Sequence, residues 1–239
     1  MTDLLHQDDF AYCANLVKAR DEDRWLAAQY APEALRRKLM ALYALLSECR
    51  RTPAVVSEAP LGEIRLQWHR DALQEIRDGK TPRRHPIVQE AAATDLPSPD
   101  YREALDGIID ASARPLYDPN FIDAEDFMTW LARVEGETDR LAVLISGGSE
   151  DVAAAAQKTG AARAALREVG ALAPGQEESV RALALQVWRN HKPALRDAPA
   201  ATGPAIAHHY LIPNYARRGA RAFPVVKRLR LLTAIAFGR

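Results

Sequence analysis

The sequence predicts an all-helical fold in a single domain. Helix formers such as Ala, Leu, Arg and Glu dominate its 239 residues. Apolar residues recur three and four positions apart in several segments, and prolines separate these segments. A chain of this length can bury one large hydrophobic core. We therefore expect one all-α helical bundle that covers residues 1–239.

Two helices are predicted near the start of the chain. Residues 33–50 carry leucines at helical spacing, and Pro32 suits the start of a helix, where a missing amide proton costs nothing. Pro53 and Pro60 are predicted to bracket a short connection. A second amphipathic helix is then predicted over residues 61–78.

The clearest helix of the chain follows Asp123. This residue is a good N-cap, with Asp126 at the third helical position, and Gly147 is predicted to end the helix. The other predicted helices cover residues 87–93, 100–113, 150–169, 180–195, 205–218 and 225–237. Residues 199–204 are predicted to be a linker of small residues.

The C-terminal region is strongly basic, although the net charge of the whole chain is zero. No acidic residue follows Asp197, so residues 198–239 carry +7 and the rest of the chain carries −7. We expect a basic helical segment over residues 205–239. The residues predicted to form a membrane or partner surface are Arg217, Arg218, Arg221, Lys227, Arg228 and Arg230.

An apolar stripe accompanies these charges, at Val225, Leu229, Leu232 and Ala236. We expect this stripe to pack on the bundle, and we rank contact with an anionic membrane surface second. Nucleic-acid binding ranks third and is set aside, because no recognised motif accompanies the charge.

Cysteine usage and hydropathy predict the compartment. Cys13 and Cys49 are far apart and have no further ligand at metal spacing, so we predict two buried, reduced thiols in a cytoplasmic protein. The first residues are acidic and lack the apolar run of a signal peptide. No apolar run approaches the length that spans a bilayer. We expect a cytoplasmic protein that can contact the periphery of the inner membrane.

A set of short motifs resembles one family. The motifs are Arg24-Trp25-Leu26-Ala27, Leu42-Tyr43-Ala44, the segment 65–73, His85-Pro86-Ile87-Val88, the segment 126–130 and Glu135-Gly136-Glu137-Thr138. Together they resemble squalene and phytoene synthases over most of the chain to about residue 170. The resemblance implies the isoprenoid (terpenoid) synthase fold, with a cavity walled by antiparallel helices. It places Tyr43, Trp68, His69 and Gly136 as candidates for lining that cavity.

The resemblance also shows what this chain lacks. In catalytic members, two aspartate motifs hold magnesium against farnesyl or geranylgeranyl diphosphate. Here the first motif falls on residues 50–54, and Arg50 and Ala54 stand where aspartates would be expected. Glu48, near this motif, and Glu168, in the second motif, are the candidates that remain for a catalytic carboxylate.

Arginines lie at and near this first motif. Arg50, Arg51 and Arg65 are candidates for binding a diphosphate or another anion, because the guanidinium binds phosphate through a rigid fork. The alternative is that they pair with the glutamates Glu48, Glu58 and Glu63.

The second motif is altered in the same way. Glu168 can stand for one aspartate, but the position of its partner falls on Leu172. One carboxylate does not hold magnesium on its own. We therefore predict no metal site and no cofactor, with Mg²⁺ expected only if the protein is an active enzyme.

Other ionisable residues are predicted to be structural. Glu135 and Asp139 share a helix face and could bind a metal, but we favour a solvated edge or pairing with arginines. His208 and His209 are adjacent, and adjacent helical residues point in different directions, so we predict no metal site there. His69 is expected to be a hydrogen-bonded structural residue and not a general base.

The altered motifs resemble the non-catalytic branch of the family, which includes complex I assembly factors of mitochondria and their alphaproteobacterial relatives. The leading hypothesis is a protein that has lost metal-dependent prenyl transfer and acts by binding in the assembly of a respiratory membrane complex. One alternative is an active enzyme that joins two farnesyl or geranylgeranyl diphosphates head to head. Another is a carrier of an isoprenoid or lipid. The expected partner is thus a protein client or such a ligand, and not a nucleic acid.

Overall fold

The computed structural model describes residues 2–172, 175–219 and 224–237, with side chains from residue 8 onwards except that of residue 171. All secondary structure in these ranges is helical, which confirms the all-α prediction. The chain divides into two compact units, Met1–Pro119 and Asn120–Arg239. The organisation as one domain stays a prediction.

The described part of the first unit contains seven α-helices, which pack around α1, α3 and α5. They are α1 (Thr2–Arg20), α2 (Glu22–Ala28), α3 (Glu33–Val55), α4 (Ala59–Arg77), α5 (Pro86–Ala93), α6 (Arg102–Ala111) and α7 (Arg114–Tyr117). Arg37 of α3 donates two hydrogen bonds, of 2.8 and 2.7 Å, to Glu90 of α5. This bidentate pair satisfies a carboxylate that has no exposed surface.

Helix α3 is longer than predicted, because it continues through Pro53 to Val55. Pro53 lacks the amide proton that would bond to the carbonyl of Cys49. The turn persists because Cys49 and Thr52 are buried, and the Thr52 hydroxyl donates to the carbonyl of Glu48 at 3.1 Å. The predicted connection from Pro53 is therefore wrong, and positions 50 and 54 lie one turn apart on the same helix.

The two cysteines are buried free thiols, as predicted. Burial raises the pKa of both, that of Cys49 to about 12. Neither thiol is therefore a thiolate at neutral pH.

The second unit is built around α10. Its described helices are α8 (Ala124–Leu131), α9 (Glu137–Ile145), α10 (Glu150–Arg167), α11 (Glu177–Arg196), α12 (Gly203–Ile206), α13 (Ile212–Arg218) and α14 (Pro224–Phe237). A π-helical turn (Ala132–Gly136) joins α8 to α9, and short 3₁₀ turns cover Val169–Ala171, Ala200–Thr202 and Ala207–Leu211. Asp123 caps α8 as predicted, since its carboxylate accepts from the Asp126 amide at 2.8 Å. The predicted linker at 199–204 is mostly helical turn.

Small residues allow the other helices to approach α10 closely. Buried alanines occupy most of its faces, and α8, α9, α11 and α13 all contact it. A Cβ atom at Gly136 would overlap with the carbonyl oxygen of Gln157 on α10. The π-helical turn therefore packs backbone against backbone at this point. No helix in the described ranges is long and apolar enough to cross a bilayer.

Candidate functional site

The turn of α3 at the first altered motif carries cationic and apolar groups. Arg50 is half-buried and Ala54 is exposed, one turn further on. Glu48 is 8% exposed, and its Oε1 atom lies 4.0 Å from Nη1 of Arg51. This is the pairing of Arg51 with Glu48 that was the alternative to anion binding. Glu58 lies outside α3, immediately before α4, and is exposed.

Two histidines, here called the first histidine cluster, lie near this turn in the first unit. The His69 and His85 ring centroids are 6.0 Å apart, and both rings meet Trp68 edge to face, at 5.1 and 5.4 Å. The guanidinium of Arg83 lies over the Trp68 ring at 5.0 Å. The cluster is therefore an aromatic contact with cations at its border.

Burial keeps the first histidine cluster neutral. It lowers the pKa of His69 to about 4, with His85 and the exposed Arg65 adding to the effect. The pKa of His85 is also lowered by burial, which outweighs the opposing influence of Glu48. No described group hydrogen-bonds to Nδ1 of His69. A neutral, buried imidazole of this kind does not carry charge to a ligand at neutral pH.

The residues expected to line a cavity all pack closely in the structure. Tyr43 is 1% exposed, and the Arg24 guanidinium lies 5.2 Å from its ring. His69 belongs to the first histidine cluster, Trp68 packs against it, and Gly136 packs on α10. A cavity-lining role for Tyr43, Trp68, His69 and Gly136 stays a prediction.

The second altered motif lies at the end of α10. Glu168 is the C-cap residue of this helix and is half-buried. Leu172, at the position of its expected partner, is 9% exposed and follows a 3₁₀ turn. The adjoining residues 173 and 174 lie outside the described ranges. In this part of the second unit, a buried apolar side chain therefore stands where a second carboxylate would be needed.

The second unit contains a buried polar cluster that the sequence did not predict. Asp139 of α9 faces two histidines: its Oδ1 lies 3.2 Å from Nε2 of His208, and its Oδ2 lies 3.4 Å from Nε2 of His209. Nδ1 of His209 lies 2.7 Å from the hydroxyl of Thr159 on α10. Asp139, His208, His209 and Thr159 are 0% exposed, and we call them the Asp139 cluster.

Two geometric expectations about these residues are wrong, namely the solvated edge and the diverging histidines, whereas the expectation of no metal site is untested. Asp139 is not at a solvated edge, because the π-helical turn before it adds an extra residue and shifts the register of the face. The adjacent histidines do not diverge from a common partner. Their rings, with centroids 4.4 Å apart, approach different oxygens of one carboxylate. One sequence signal was available, because the histidines lie in an apolar run and must therefore be buried with partners.

Arginine pairing, the other alternative for this helix, is found at Glu137. Its Oε1 atom accepts from Nη1 of Arg140 at 2.9 Å, and its Oε2 atom accepts from Gln157 at 2.7 Å. Burial raises the pKa of Glu137, and Arg140 opposes that effect. Glu137 is therefore paired with an arginine and a glutamine.

The C-terminal helices present a surface that is both basic and apolar. Arg217 and Arg218 of α13 are exposed, as are Arg228 and Arg230 of α14, whereas Lys227 is half-buried. Arg221 lies outside the described residues.

Helix α14 packs on the bundle through a different face from the one predicted. Leu231 and Ala234 are buried, 1% and 6% exposed, and the helix contacts α12 and the 3₁₀ turn Ala207–Leu211. The predicted stripe instead points outward, with Val225, Leu229 and Leu232 being 75%, 60% and 46% exposed. Apolar residues on both sides of α14 made the two faces indistinguishable by spacing alone.

The fold and the motifs together define an all-helical protein of the isoprenoid synthase type. The squalene/phytoene synthase family model matches residues 17–169, which is more than half of the chain. This protein therefore belongs to the squalene/phytoene synthase family.

Solved structures agree with this assignment at the level of the fold. A dehydrosqualene synthase in complex with ligand is similar, with 16% identity, a TM-score of 0.71 and coverage of 98% of this chain and 97% of that one. A squalene synthase from Alicyclobacillus acidocaldarius has 15% identity and a TM-score of 0.65, covering 98% of this chain and 96% of that one. No curated protein has a matching sequence.

Proposed function

We propose that this family member acts by binding and does not transfer prenyl groups with magnesium. The observation that carries the proposal is the turn of α3 at residues 50–54. A guanidinium and a methyl group, those of Arg50 and Ala54, occupy the two positions that the family resemblance assigns to metal-binding aspartates. Neither group is a ligand for magnesium, which binds oxygen atoms and carboxylates above all.

Charge near this turn also opposes magnesium binding. The Glu48 carboxylate lies 4.0 Å from the Arg51 guanidinium, so a metal ion would have to compete with an existing cation. The second motif supports the same proposal independently, since buried Leu172 takes the place of a carboxylate beside Glu168. Without the metal, negative charge that builds up on a leaving diphosphate has no comparable stabiliser.

The role we propose is in the assembly of a respiratory membrane complex, with a protein of that complex as the client. The resemblance to the non-catalytic branch supports this role. The outward stripe of α14 supports contact with the membrane in which such a complex lies. Exposed leucines flanked by Arg228 and Arg230 suit an anionic bilayer, because apolar burial and charge attraction act together there.

A direct assay tests the loss of catalysis. Purified protein would be incubated with Mg²⁺ and farnesyl or geranylgeranyl diphosphate, and diphosphate release would be measured beside an active dehydrosqualene synthase. We expect release no faster than in buffer. Release that disappears in Glu48→Gln or Glu168→Gln variants would establish the prenyltransferase alternative and end the proposal.

Native mass spectrometry of the purified protein distinguishes the carrier alternative from the assembly role. We expect the mass of the polypeptide without an isoprenoid or lipid. A stoichiometric isoprenoid that survives purification would favour the carrier over the assembly role.

Deletion in the source organism tests the assembly role. We expect less fully assembled respiratory complex on native gels, and full rescue by chains carrying Glu48→Gln or Glu168→Gln. Rescue by these variants separates a binding role from a catalytic one. Unchanged levels of the complex after deletion would contradict the assembly role.

Flotation with anionic liposomes tests the membrane surface. The double variant Leu229→Ser/Leu232→Ser should float less than the wild type, because it removes exposed apolar area, and binding should weaken as salt rises. The matched control is Ile122→Ser, which changes an 84% exposed apolar residue outside α14. Equal flotation of the double variant and the wild type would rule out α14 as the contact.

A further inference from the structure

The Asp139 cluster is not used by the proposed function. Asp139, His208 and His209 each have no exposed surface. Burying ionisable groups is costly unless they meet an opposite charge or bind a metal. The three residues come from α9 and from a 3₁₀ turn 69 residues further along the chain, so the fold brings them together from distant positions.

The separations within the cluster suit ligands of a common ion. A charge-assisted hydrogen bond between nitrogen and oxygen is normally about 2.7–2.9 Å long. The two nitrogen–oxygen separations here are longer than that: the 3.2 Å contact of His208 is still within the hydrogen-bonding range, and the 3.4 Å contact of His209 is beyond it. Two ligand atoms on one tetrahedral ion, each about 2.1 Å from it, lie about 3.4 Å apart. One ligand atom from each of the three residues can be chosen so that all lie within 4.8 Å of one another.

Thr159 fixes the tautomer of one of the histidines, His209. Its hydroxyl has a single proton, and the 2.8 Å contact with the carbonyl oxygen of Ala155 places that proton there. The hydroxyl oxygen then accepts from Nδ1–H of His209, 2.7 Å away. In the neutral imidazole this leaves the lone pair on Nε2, which is the atom that faces Asp139. A second residue that fixes the tautomer in this way is typical of metal-binding histidines.

We propose that Asp139, His208 and His209 bind a divalent transition-metal ion inside the second unit. Two imidazoles and one carboxylate suit zinc or a similar ion, whereas magnesium prefers ligands that are all oxygen. The proposed site uses none of the residues of the altered aspartate motifs. Because the three ligands are completely buried, the ion enters as the unit folds, and the energy of its binding stabilises the folded unit.

A protein-only network is the competing explanation. Arg163 of α10 is also fully buried and lies one turn beyond Thr159, so it too brings positive charge to this part of the unit. The experiment must therefore detect the ion itself and not only the stability of the cluster.

Metal content tests the proposal. The protein would be produced in zinc-supplemented medium, and a second sample would be unfolded, stripped with chelator and refolded with zinc or with magnesium. We expect one zinc per chain by elemental analysis in the first and the zinc-refolded samples, and none after refolding with magnesium. Cobalt(II) in place of zinc should give the visible absorption of a tetrahedral site.

Matched variants locate the ion. His208→Gln and Asp139→Asn should abolish zinc uptake, and Thr159→Val should weaken it about 10- to 100-fold by releasing His209. His191→Gln, on α11 and outside the cluster, should leave zinc uptake unchanged. If the cluster variants do not fold, the wild-type cobalt spectrum still decides. Wild-type protein that folds without stoichiometric zinc and shows no such spectrum would overturn the proposal in favour of the protein-only network.

Discussion

Two pairs of histidines lie in this protein, one in each compact unit, and their surroundings differ. His69 and His85 pack against Trp68, with arginines at the border, and burial lowers the pKa of both. His208 and His209 face the buried carboxylate of Asp139. Histidine itself is the same in both places. The neighbouring charge therefore decides whether a buried histidine pair is a neutral packing contact or a candidate cation site.

The largest expected effect on stability comes from neutralising the carboxylate that lies beside a histidine pair. Asp139→Asn should lower the free energy of unfolding by about 3 kcal/mol or more, because it breaks up a fully buried charged cluster. Glu48→Gln, beside the first pair, should cost less than about 1 kcal/mol, since Arg51 is 44% exposed and water screens the interaction. Urea unfolding at neutral pH measures both. Equal losses of unfolding free energy in the two variants would show that the two histidine pairs do not differ in how strongly they depend on a neighbouring carboxylate.

The next largest effect is the loss of stability in acid that comes from His69. Its folded pKa of about 4 lies below the unfolded value of about 6.5, so below pH 6.5 the unfolded state binds more protons than the folded state. The contribution of neutral His69 to the free energy of unfolding is therefore fully present above pH 6.5. It falls as the pH drops towards 4, by up to about 3 kcal/mol.

Urea unfolding at pH 7, 5.5 and 4 checks this prediction. His69→Phe should flatten the decline, leaving the smaller contribution of His85. A decline that is equally steep in the variant would show that other groups cause it.

A smaller effect on stability tests how tightly the Asp139 carboxylate is held beside the second histidine pair. Gly160→Ala would place a Cβ atom where it overlaps with Oδ2 of Asp139, a short side chain held between two histidines. We expect a loss of about 1–3 kcal/mol. The matched control is Gly107→Ala in α6, where nothing lies within 4 Å of the new atom. It should stabilise the protein by about 0.5–1 kcal/mol.

Thermal or urea unfolding of the two alanine variants gives the comparison. A stable Gly160→Ala protein would mean that the Asp139 carboxylate is free to move, and it would weaken the case for a preformed metal site.

Much of the fold follows from local sequence patterns. Asp123 predicts the start of α8, and the spacing of leucines predicts most of α3. The end of α3 was missed because burial of Cys49 and Thr52 maintains the helix through Pro53. The outward face of α14 was also missed, since apolar residues lie on both of its sides and spacing alone does not say which side finds a neighbour.

Some residues of the candidate sites could be found from the sequence, and others could be found only from the structure. Arg50, Ala54 and Leu172 are found from the sequence at the positions that the family resemblance assigns to aspartates, because the comparison concerns which residue types occupy a motif. The Asp139 cluster was not predicted, because it depends on a π-helical turn and on packing against α10.

The sequence by itself determined that this chain is helical, that it belongs to the squalene/phytoene synthase family and that Arg50, Ala54 and Leu172 stand at positions that the family resemblance assigns to aspartates. These properties depend on residue types and on spacing within a few turns of a helix. Only the tertiary structure decided that Asp139 meets His208 and His209 and that the stripe of α14 points outward. Contacts between residues about 70 positions apart depend on how helices pack, and no local periodicity encodes them.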